Sequence, residues 1–536
     1  MARFARVAAL FAVLTVLMTW PQAARLAIDA AGHQDVYFNM WRFGWVAHAA
    51  ATAPLQVLDG NIFHPEPRAL TFSDAMLVEA FIAAPLLWAG IPQVLVHNLL
   101  LLAGIVLSAS GIAMLAASLT GSRAAGITAG IIFAFAPYRF EHYMHMELQW
   151  TVWIPWAFWA LHRTFETGSR RHAGFMGAFV ALQFLSSIYY GVFLATLLGL
   201  AAALLLCATR TGDLKNRLSA LGIAAVTAAI LTAPYAIPYA ATKQHVGPRS
   251  EEQAVTFSAR PASYLVATDT NYLYGQRSKP RGRPERRLFP GVLPLLLAVI
   301  GLLLRRPSVE ATVYLLALVA AFEMSLGFYG YTFSFLYHHV PPFDALRAPA
   351  RLGIFVVFFL GILAAYGHAA LEAAMTRRIR WVLLVVISAV LLLEYWVAPL
   401  RLAPFPNEPP PLYAWLAQQP RGVVTEFPMP TADTLPGNEP RYAYMSTFHW
   451  MPMSNGYSGY YPPSYLTRLE ILRTMPDDAA LEALVRDRVR YVIVHTSLYQ
   501  PAHAERVVTA IAGGPLFVEL GRFDDGQGTA IVFTPR

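Results

Sequence analysis

Long apolar runs alternate with short polar connections over the first 400 residues of the chain. A helix that crosses a bilayer needs about 20 mainly apolar residues, and eleven runs come near that length. The pattern therefore predicts a mainly α, polytopic transmembrane domain over residues 1–400. The eleven runs are 7–26, 93–119, 122–138, 148–165, 173–189, 190–208, 217–240, 288–304, 309–327, 351–373 and 380–399.

The hydrophobic pattern changes after a proline-rich hinge, APFPNEPPPLY, at 403–413. Short runs rich in β-branched and aromatic residues follow, and one amphipathic stretch, 476–487, has the helical period. We therefore expect residues 401–536 to form a small α/β domain. The predicted strands are 422–427, 490–495, 516–523 and 529–535.

Composition supports a membrane protein, and the distribution of charge predicts how the chain is oriented in the membrane. Charged residues make up 13% of the chain and hydrophobic residues 56%, whereas soluble proteins carry roughly 25% charged residues. Short basic connections fall on the side of the N-terminus, which the positive-inside rule assigns to the cytoplasm. This predicts a multi-pass protein of the cytoplasmic (inner) membrane with its C-terminal domain outside. The basic connections are 121–123, 162–171, 210–217, 305–310 and 376–380.

The net charge of +8 does not indicate a nucleic-acid partner, because basic loops are expected in a membrane protein of this kind. One outer loop, 241–287, is nevertheless basic, with nine Lys or Arg against four acidic residues. A single cysteine, Cys207, excludes a disulfide framework within the chain.

The first outer segment, 27–92, contains the sequence GHQDVYFNMW. If residues 36–50 are helical, Asp35, Asn39 and Arg42 follow one another at i, i+4 and i+7 on one face, as in a helix at the membrane interface. One interpretation makes Asp35 a general base at the mouth of a membrane cavity. The alternative is that Asp35 caps the helix.

A second polar segment is FAPYRFEHYMHMELQW at 135–150. Ionisable groups near membrane depth are costly and are commonly functional. Glu141, His145 and Glu147 are candidate ligands of a divalent metal, the cofactor that this pattern suggests, although no metal motif is complete. The alternative is an interfacial turn with ordinary hydrogen bonds.

A third segment, LRAPARLG, places Arg347 and Arg351 at the start of an apolar run. Cations oppose the macrodipole there, and a bound phosphate or carboxylate would satisfy both arginines and the exposed amides. Snorkelling to lipid headgroups is the alternative. Tyr189 and Tyr190 mark an outer hairpin, where an aromatic belt is the simple explanation.

The tail segment 446–465 is rich in Tyr, Gly and Pro. It either touches a substrate or packs as a structural turn on its own domain, and the sequence does not choose between these. The chain has no P-loop, no strand-borne GxGxxG, no HExxH and no GxSxG at a strand-to-helix turn.

The layout resembles the GT-C superfamily of integral membrane glycosyltransferases, and its short motifs resemble an uncharacterised bacterial or YfhO-like branch. The segments that carry this resemblance are GHQDVYFNMW, YRFEHYMHMELQW, LFPGVLPLLLAVIGLL, LRAPARLG and NGYSGYYPPSY. The resemblance implies a GT-C-like fold with interfacial helices in the first outer loop. The first loop lacks a plain Asp-x-Asp, a departure that puts metal dependence and activity in question.

The resemblance also implies an activity. An inverting glycosyltransferase of this kind would move a sugar from a polyprenyl-phosphate-linked donor to an acceptor glycan, lipid or protein at the outer membrane face, among membrane lipids. Asp35 would be the general base. The expected substrate- and phosphate-binding residues are Asn39, Arg42, Arg139, Tyr189, Tyr190, Arg249, Arg260, Arg347 and Arg351.

Two other classes of function remain open from the sequence. A transporter or flippase for a lipid-linked or anionic solute needs charged residues at mid-membrane depth, whereas Glu323 and Glu394 lie near the ends of their runs. A non-catalytic protein of envelope assembly would act through its tail.

Overall fold

The structure is a computed structural model that describes residues 2–208, 214–278, 283–304 and 308–536. Parts of three basic segments lie outside the described residues. They are Arg210 of the connection 210–217, Lys279 and Arg281 of the loop 241–287, and Arg305 and Arg306 of the connection 305–310.

Helices dominate the described residues, as the apolar pattern predicts. In chain order the α-helices are α1 Ala2–Met18, α2 Gln34–Thr52, α3 Leu77–Trp88, α4 Gln93–Thr120, α5 Arg123–Phe135, α6 Pro137–Glu141, α7 Met146–Gln149, α8 Trp153–Thr167, α9 Arg170–Ser186, α10 Ile188–Ala208, α11 Leu214–Val246, α12 Glu251–Thr256, α13 Gly275–Ser278, α14 Val292–Leu304, α15 Val309–Ser325, α16 Thr332–His339, α17 Gly353–Ala373, α18 Arg377–Glu394, α19 Pro411–Leu416, α20 Glu439–Met445, α21 Pro463–Leu472, α22 Asp478–Arg486 and α23 Pro501–Gly513.

Six strands accompany these helices in the described residues. They are β1 Asp29–Ala31, β2 Leu402–Pro404, β3 Val423–Phe427, β4 Val489–His495, β5 Phe517–Asp524 and β6 Thr529–Pro535. The four strands predicted in the tail correspond to β3, β4, β5 and β6, and the predicted amphipathic helix is α22, so these predictions are confirmed.

Each of the eleven apolar runs overlaps one of the long helices. Among the residues that the structure describes, four helical segments are long and apolar enough to cross a membrane, and they support a multi-pass membrane protein. These segments are Gln93–Thr120, Ile188–Ala208, Leu214–Val246 and Pro349–Ala373. The other seven helices are shorter or more charged, so the count of eleven spans stays a prediction.

The chain divides into two compact units. The helical unit comprises residues 1–25, 99–236 and 248–401, and the sheet-containing unit comprises 26–98, 237–247 and 402–536. The sheet-containing unit includes more residues than the predicted domain 401–536. Besides the tail it contains the segment 27–92 and the short central segment 237–247.

In the helical unit, α17 is the most deeply buried of the long helices, and it packs against α5, α14 and α15. Its sequence is apolar on all sides, which is typical of a helix surrounded by others. Gly301 and Gly367 lie at the crossing of α14 and α17, where an added Cβ on Gly301 would come within 2.7 Å of the Gly367 amide nitrogen. These small residues permit the close approach of the two helices.

In the sheet-containing unit, β3, β4, β6 and β5 form a four-stranded sheet in that order. β3 pairs parallel with β4, and the other two pairings are antiparallel. Apolar side chains of the sheet pack with α22 and α23 in one core that includes Leu484, Val507 and Phe533. α2 packs against α3 and α20, and β1 pairs with β2, so the first outer segment is built into the same unit as the tail.

Candidate active site

The helix that carries Asp35 begins at Gln34, close to the predicted start. His33 is its N-cap, and the ring Nδ1 of His33 accepts a hydrogen bond from the Asp35 amide at 3.2 Å. The N-cap residue is therefore His33 and not Asp35. The Asp35 side chain lies in the first turn, where the helix macrodipole favours a carboxylate.

The Asp35 carboxylate is held by a tyrosine of the tail. Oδ1 accepts a hydrogen bond from the Tyr457 hydroxyl at 2.5 Å, and Oδ2 lies 3.4 Å from Nδ1 of His33. The Asp35 side chain is 14% exposed, so it is partly accessible. Burial raises the pKa of Tyr457, and the Asp35 carboxylate raises it further, so Tyr457 stays a neutral donor.

The other two predicted polar residues on this helix face are buried. Asn39 is fully buried, and Arg42 places its guanidinium 4.1 Å from the centre of the Phe38 ring. Arg42 also donates to the backbone carbonyl of Asp74 at 2.8 Å. Phe38 in turn meets the Tyr457 ring edge-on at 4.9 Å. The face is thus turned into the protein, and Asp35 is its more accessible group.

A second carboxylate anchors the turn that presents Tyr457. Glu439 accepts the backbone amide of Gly456 at 2.6 Å and the side-chain amide of Asn455 at 2.9 Å. The Asn455 side chain also accepts the Glu426 amide of β3 at 2.7 Å. Burial raises the pKa of Glu439 to about 8. The segment 446–465 is therefore fixed to the sheet on one side and reaches Asp35 on the other.

In the helical unit, Arg351 lies in a 3-10 turn, Pro349–Leu352, just before α17. Its guanidinium donates to Glu285 at 3.0 Å and stacks over the Tyr189 ring at 4.8 Å. The other oxygen of Glu285 lies 3.4 Å from Nε2 of His142. The anion predicted next to Arg351 is thus supplied by the protein itself, from the outer loop 241–287.

The protonation states of this group follow from burial and charge. Burial lowers the pKa of His142 to about 3, so its imidazole is neutral at physiological pH. Burial alone would raise the pKa of Glu285, but the adjacent Arg351 outweighs it and holds this pKa well below its usual value. Glu285 is therefore an ionised carboxylate, and it forms an ion pair with the guanidinium of Arg351.

The predicted metal ligands are not brought together as one site. Glu141 forms an ion pair with Arg287 at 3.2 Å, and Arg287 also lies 3.4 Å from Asp269. The ring of His145 contacts that of His142, with 3.4 Å between their Nδ1 atoms. Within residues that the structure describes, no three His, Cys, Asp or Glu side chains form a group that could hold a metal ion.

Arg139, predicted as a phosphate-binding residue, is buried and engaged by its own segment. It donates to the carbonyls of Phe133 at 2.6 Å and Gln149 at 3.1 Å, and to the Thr151 hydroxyl. Arg139 thus joins the end of α5 to the turn before α8, which is a structural role.

Three other predicted arginines have separate surroundings. The Arg260 guanidinium bonds the Tyr329 hydroxyl at 2.9 Å, and the backbone amide of Arg249 bonds the Asp344 carbonyl at 3.1 Å. The Arg347 guanidinium lies 5.6 Å from the centre of the Phe257 ring.

The two predicted tyrosines connect this region. The Tyr189 hydroxyl accepts the backbone amide of Arg347 at 2.8 Å, and the hydroxyls of Tyr190 and Tyr138 lie 3.1 Å apart. The structure therefore brings Tyr189 together with Arg347 and Arg351 in the helical unit. Asp35, Asn39 and Arg42 belong to the sheet-containing unit.

Sequence reasoning missed Tyr457, Glu285 and Arg287 as partners of the predicted residues. Glu285 carried a weak signal, as one of few acids in a strongly basic loop. Tyr457 lies in a segment that the sequence singled out without assigning it a role. Each partner is distant in sequence, and 422 residues separate Asp35 from Tyr457.

Comparison with known proteins gives the fold of the chain. No protein-family model and no curated protein matches the sequence. The chain is similar in structure to the mycobacterial arabinofuranosyltransferase AftD, with a TM-score of 0.65, 15% sequence identity, and coverage of 100% of this chain and 40% of AftD. A mutant form of AftD gives a TM-score of 0.63 at 14% identity, covering 99% and 41%. The chain thus spans about two fifths of the length of AftD and has the GT-C fold.

A third solved structure, ArnT from Cupriavidus metallidurans bound to undecaprenyl phosphate, gives a TM-score of 0.49 at 12% identity, covering 99% of this chain and 97% of ArnT. A TM-score this low adds no weight to the assignment of the fold. None of these comparisons distinguishes a YfhO-like branch, which stays a prediction.

Proposed function

We propose that this GT-C-fold chain is a membrane glycosyltransferase that moves a sugar from a polyprenyl-phosphate-linked donor to an acceptor hydroxyl at the outer face of the cytoplasmic membrane. The observation that carries the proposal is the partly exposed Asp35 carboxylate, held by Tyr457 at the start of the first outer helix. The likeness of the fold to that of an arabinofuranosyltransferase supports a reaction of the same class, the transfer of a sugar.

The proposed reaction needs one base and one leaving group. Asp35 takes the proton of the acceptor hydroxyl as its oxygen attacks the anomeric carbon of the donor sugar. The bond between that carbon and the phosphate oxygen breaks, and its electron pair leaves with the polyprenyl phosphate. A new glycosidic bond forms with inversion, and no oxidant or reductant is involved.

In this scheme the Tyr457 hydroxyl donates a hydrogen bond to one carboxylate oxygen of Asp35, Oδ1. This bond fixes the direction in which the other oxygen, Oδ2, points. A hydrogen bond to a charged group is worth about 1.5–3 kcal/mol, which is enough to hold the carboxylate in one rotamer. The neutral phenol cannot take up the acceptor proton, so the proton resides on Asp35 after the transfer.

For the donor phosphate, the structure favours Arg347 over Arg351 in the helical unit. Arg351 already pairs with Glu285, and a phosphate would have to displace that carboxylate. Among the described residues Arg347 forms no ion pair and contacts an aromatic ring instead. We therefore propose Arg347 as a phosphate-binding residue and Arg351 as a structural partner of Glu285.

A transport function gains no support from the two acidic residues near the ends of predicted spans. Glu394 accepts the first backbone amides of α14, those of Val292 at 2.5 Å and Leu293 at 3.2 Å. Glu323 similarly accepts the amides of Tyr331 and Thr332. Both carboxylates therefore satisfy helix N-termini or turns rather than offering a site to a solute.

The test is incubation of the purified chain in liposomes with a panel of polyprenyl-phosphate-linked sugars and glycan acceptors. We expect a covalent glycan product and stoichiometric release of polyprenyl phosphate. Counterflow of a lipid-linked solute without any covalent product would contradict the proposal and favour a flippase. The R347Q variant should raise the KM for the donor, whereas R377Q, at an exposed position of α18, should not.

A further inference from the structure

The sheet-containing unit holds an open cleft of about 320 Å³, lined by none of the residues that have a role in the proposed reaction. We call it the Trp450 cleft. Its walls come from the C-terminal half of α2, from the loop that follows α2, and from two segments of the tail. The side chains that matter here are Trp45, His48, Asp59, His64, Arg421 and Trp450.

One wall of the Trp450 cleft is aromatic. The imidazole of His48 stacks on the Trp450 indole with centroids 4.4 Å apart and planes 13° from parallel. Trp45 meets Trp450 at 6.0 Å and 60°. All three rings are half-buried, so each also presents some ring surface to solvent. The wall is therefore a partly exposed cluster of three aromatic rings, in which His48 lies parallel to Trp450 and Trp45 is inclined to both.

The backbone of Trp450 is strained. Its φ is +54°, in the left-handed region that bulky residues rarely adopt. The Trp450 amide bonds the Ser446 carbonyl at 2.7 Å, and the Arg421 guanidinium bonds the Trp450 carbonyl at 3.0 Å. Strain of this kind persists where the surroundings impose it, and it is concentrated at functional sites. These two hydrogen bonds hold the backbone of Trp450 in this conformation.

The remaining wall is polar and carries charges of both signs. Asp59 and Arg421 are exposed. Burial lowers the pKa of His48, with a further contribution from Arg421, and burial together with Arg468 lowers the pKa of His64. Both imidazoles are therefore neutral at physiological pH, and each offers one donor and one acceptor.

This combination matches the chemistry of a neutral saccharide. The C–H face of a sugar ring packs on a flat aromatic surface, while its hydroxyls both donate and accept hydrogen bonds. Carboxylate, guanidinium and neutral imidazole groups supply both kinds of partner. An anion would be opposed by Asp59, and an apolar ligand would leave the charged rim unsatisfied.

We propose that the Trp450 cleft binds a neutral oligosaccharide, packed on the solvent-exposed surface of the Trp450 indole and hydrogen-bonded by Asp59 and Arg421. The occupant is part of the acceptor or product glycan, and in that respect the inference rests on the proposed function. The same helix carries Asp35 in its first turn and Trp45 ten residues later, about 15 Å along the axis. A glycan held at the cleft is thus retained by the element that carries the proposed base.

The binding test uses the full-length chain in detergent and three neutral hexasaccharides, built from glucose, mannose and galactose, followed by isothermal titration calorimetry. We expect at least one to bind with a millimolar or tighter Kd. W450A and R421Q should each weaken that binding at least tenfold. W415A, which removes a tail indole stacked on Phe523 outside the cleft, should leave it unchanged.

R421Q changes an exposed side chain and keeps the result interpretable if W450A fails to fold. Absence of binding by all three hexasaccharides, or binding that neither variant weakens, would overturn the proposal. So would a result in which the variants weaken only adsorption to vesicles of anionic phospholipid, since the cleft would then be a lipid site. The binding assay requires no turnover, so failure of the sugar-transfer reaction and failure of this proposal are distinguishable.

Discussion

The Tyr457 hydroxyl donates to the Asp35 carboxylate across 2.5 Å, although the two residues stand 422 positions apart in the chain. The contact joins α2 to the Tyr-rich segment of the tail, within one compact unit. The segment 446–465 therefore packs against the predicted base, and its possible contact with a substrate stays a prediction.

Removal of the Tyr457 hydroxyl should lower turnover without unfolding the unit. In Y457F the ring still packs on Phe38, but Asp35 loses the donor that orients it. We expect kcat for sugar transfer to fall about tenfold, as the loss of a hydrogen bond to a charged group predicts. Y491F, which removes a tyrosine hydroxyl bonded to the Pro420 carbonyl, is the matched control. Equal rates for Y457F and the unaltered chain would show that the contact has no part in the reaction.

Glu439 should make the stability of the sheet-containing unit depend on pH. Burial raises its pKa from 4.5 to about 8, so the folded chain binds more protons than the unfolded chain between these values. Stability from this group is therefore fully present below pH 4.5 and is lost as the pH rises through about 8. Hydrogen exchange of the 455–457 turn, followed against pH, measures this loss.

The E439Q variant should flatten that pH profile, whereas E482Q on the exposed face of α22 should not. A profile in E439Q that keeps its slope between pH 4.5 and 8 would assign the titration to another group.

Arg351 and Glu285 should behave as a coupled pair. R351Q leaves a largely buried carboxylate without its cation, and breaking such a pair typically costs about 3–5 kcal/mol. We expect a clear fall in the melting temperature of the detergent-solubilised chain. The double variant R351Q/E285Q should recover much of it, because no unpaired charge remains. If the double variant is as unstable as R351Q, the two residues are not coupled.

A buried triad in the tail should be required for the stability of the sheet. His495 contacts Asp525 through Nδ1 at 2.5 Å and Glu426 through Nε2 at 2.7 Å, and its ring stacks on Tyr442. Burial alone would lower the pKa of His495, but the two carboxylates outweigh it and raise it.

The variant H495Q leaves these carboxylates without their cation and should destabilise the tail by about 3–5 kcal/mol. Faster hydrogen exchange in β4 and β6 would report this loss, with H503Q, on the separate helix α23, as control. Unchanged exchange in H495Q would mean that the triad contributes little.

The elements of this fold follow closely from local patterns. Apolar runs near the length of a membrane helix, and alternating β-branched residues in the tail, gave the long helices and β3 to β6, because both signals lie within short stretches of sequence. The grouping of the first outer segment with the tail did not follow. It depends on contacts such as the pairing of β1 with β2, which join residues far apart in the chain.

In the candidate site too, local sequence patterns predicted single residues but not the contacts between distant ones. Asp35 and Arg351 were identified because each has an unusual neighbourhood in the sequence. Their partners, Tyr457 and Glu285, were not, since nothing local distinguishes a tyrosine that meets a carboxylate from one in an aromatic turn. Glu141, predicted as a metal ligand, is paired with Arg287, a residue 146 positions away that no local pattern could connect with it.

The most direct test of the account compares D35N with the unaltered chain in the liposome assay, by single-turnover sugar transfer from a polyprenyl-phosphate-linked donor. D433N, at an exposed carboxylate of the tail, is the control. Loss of a general base typically lowers the rate by about 10²–10⁴-fold, and we expect D35N to fall in that range while D433N stays unchanged. A folded D35N that transfers sugar at the rate of the unaltered chain would contradict the assignment of Asp35 as the base.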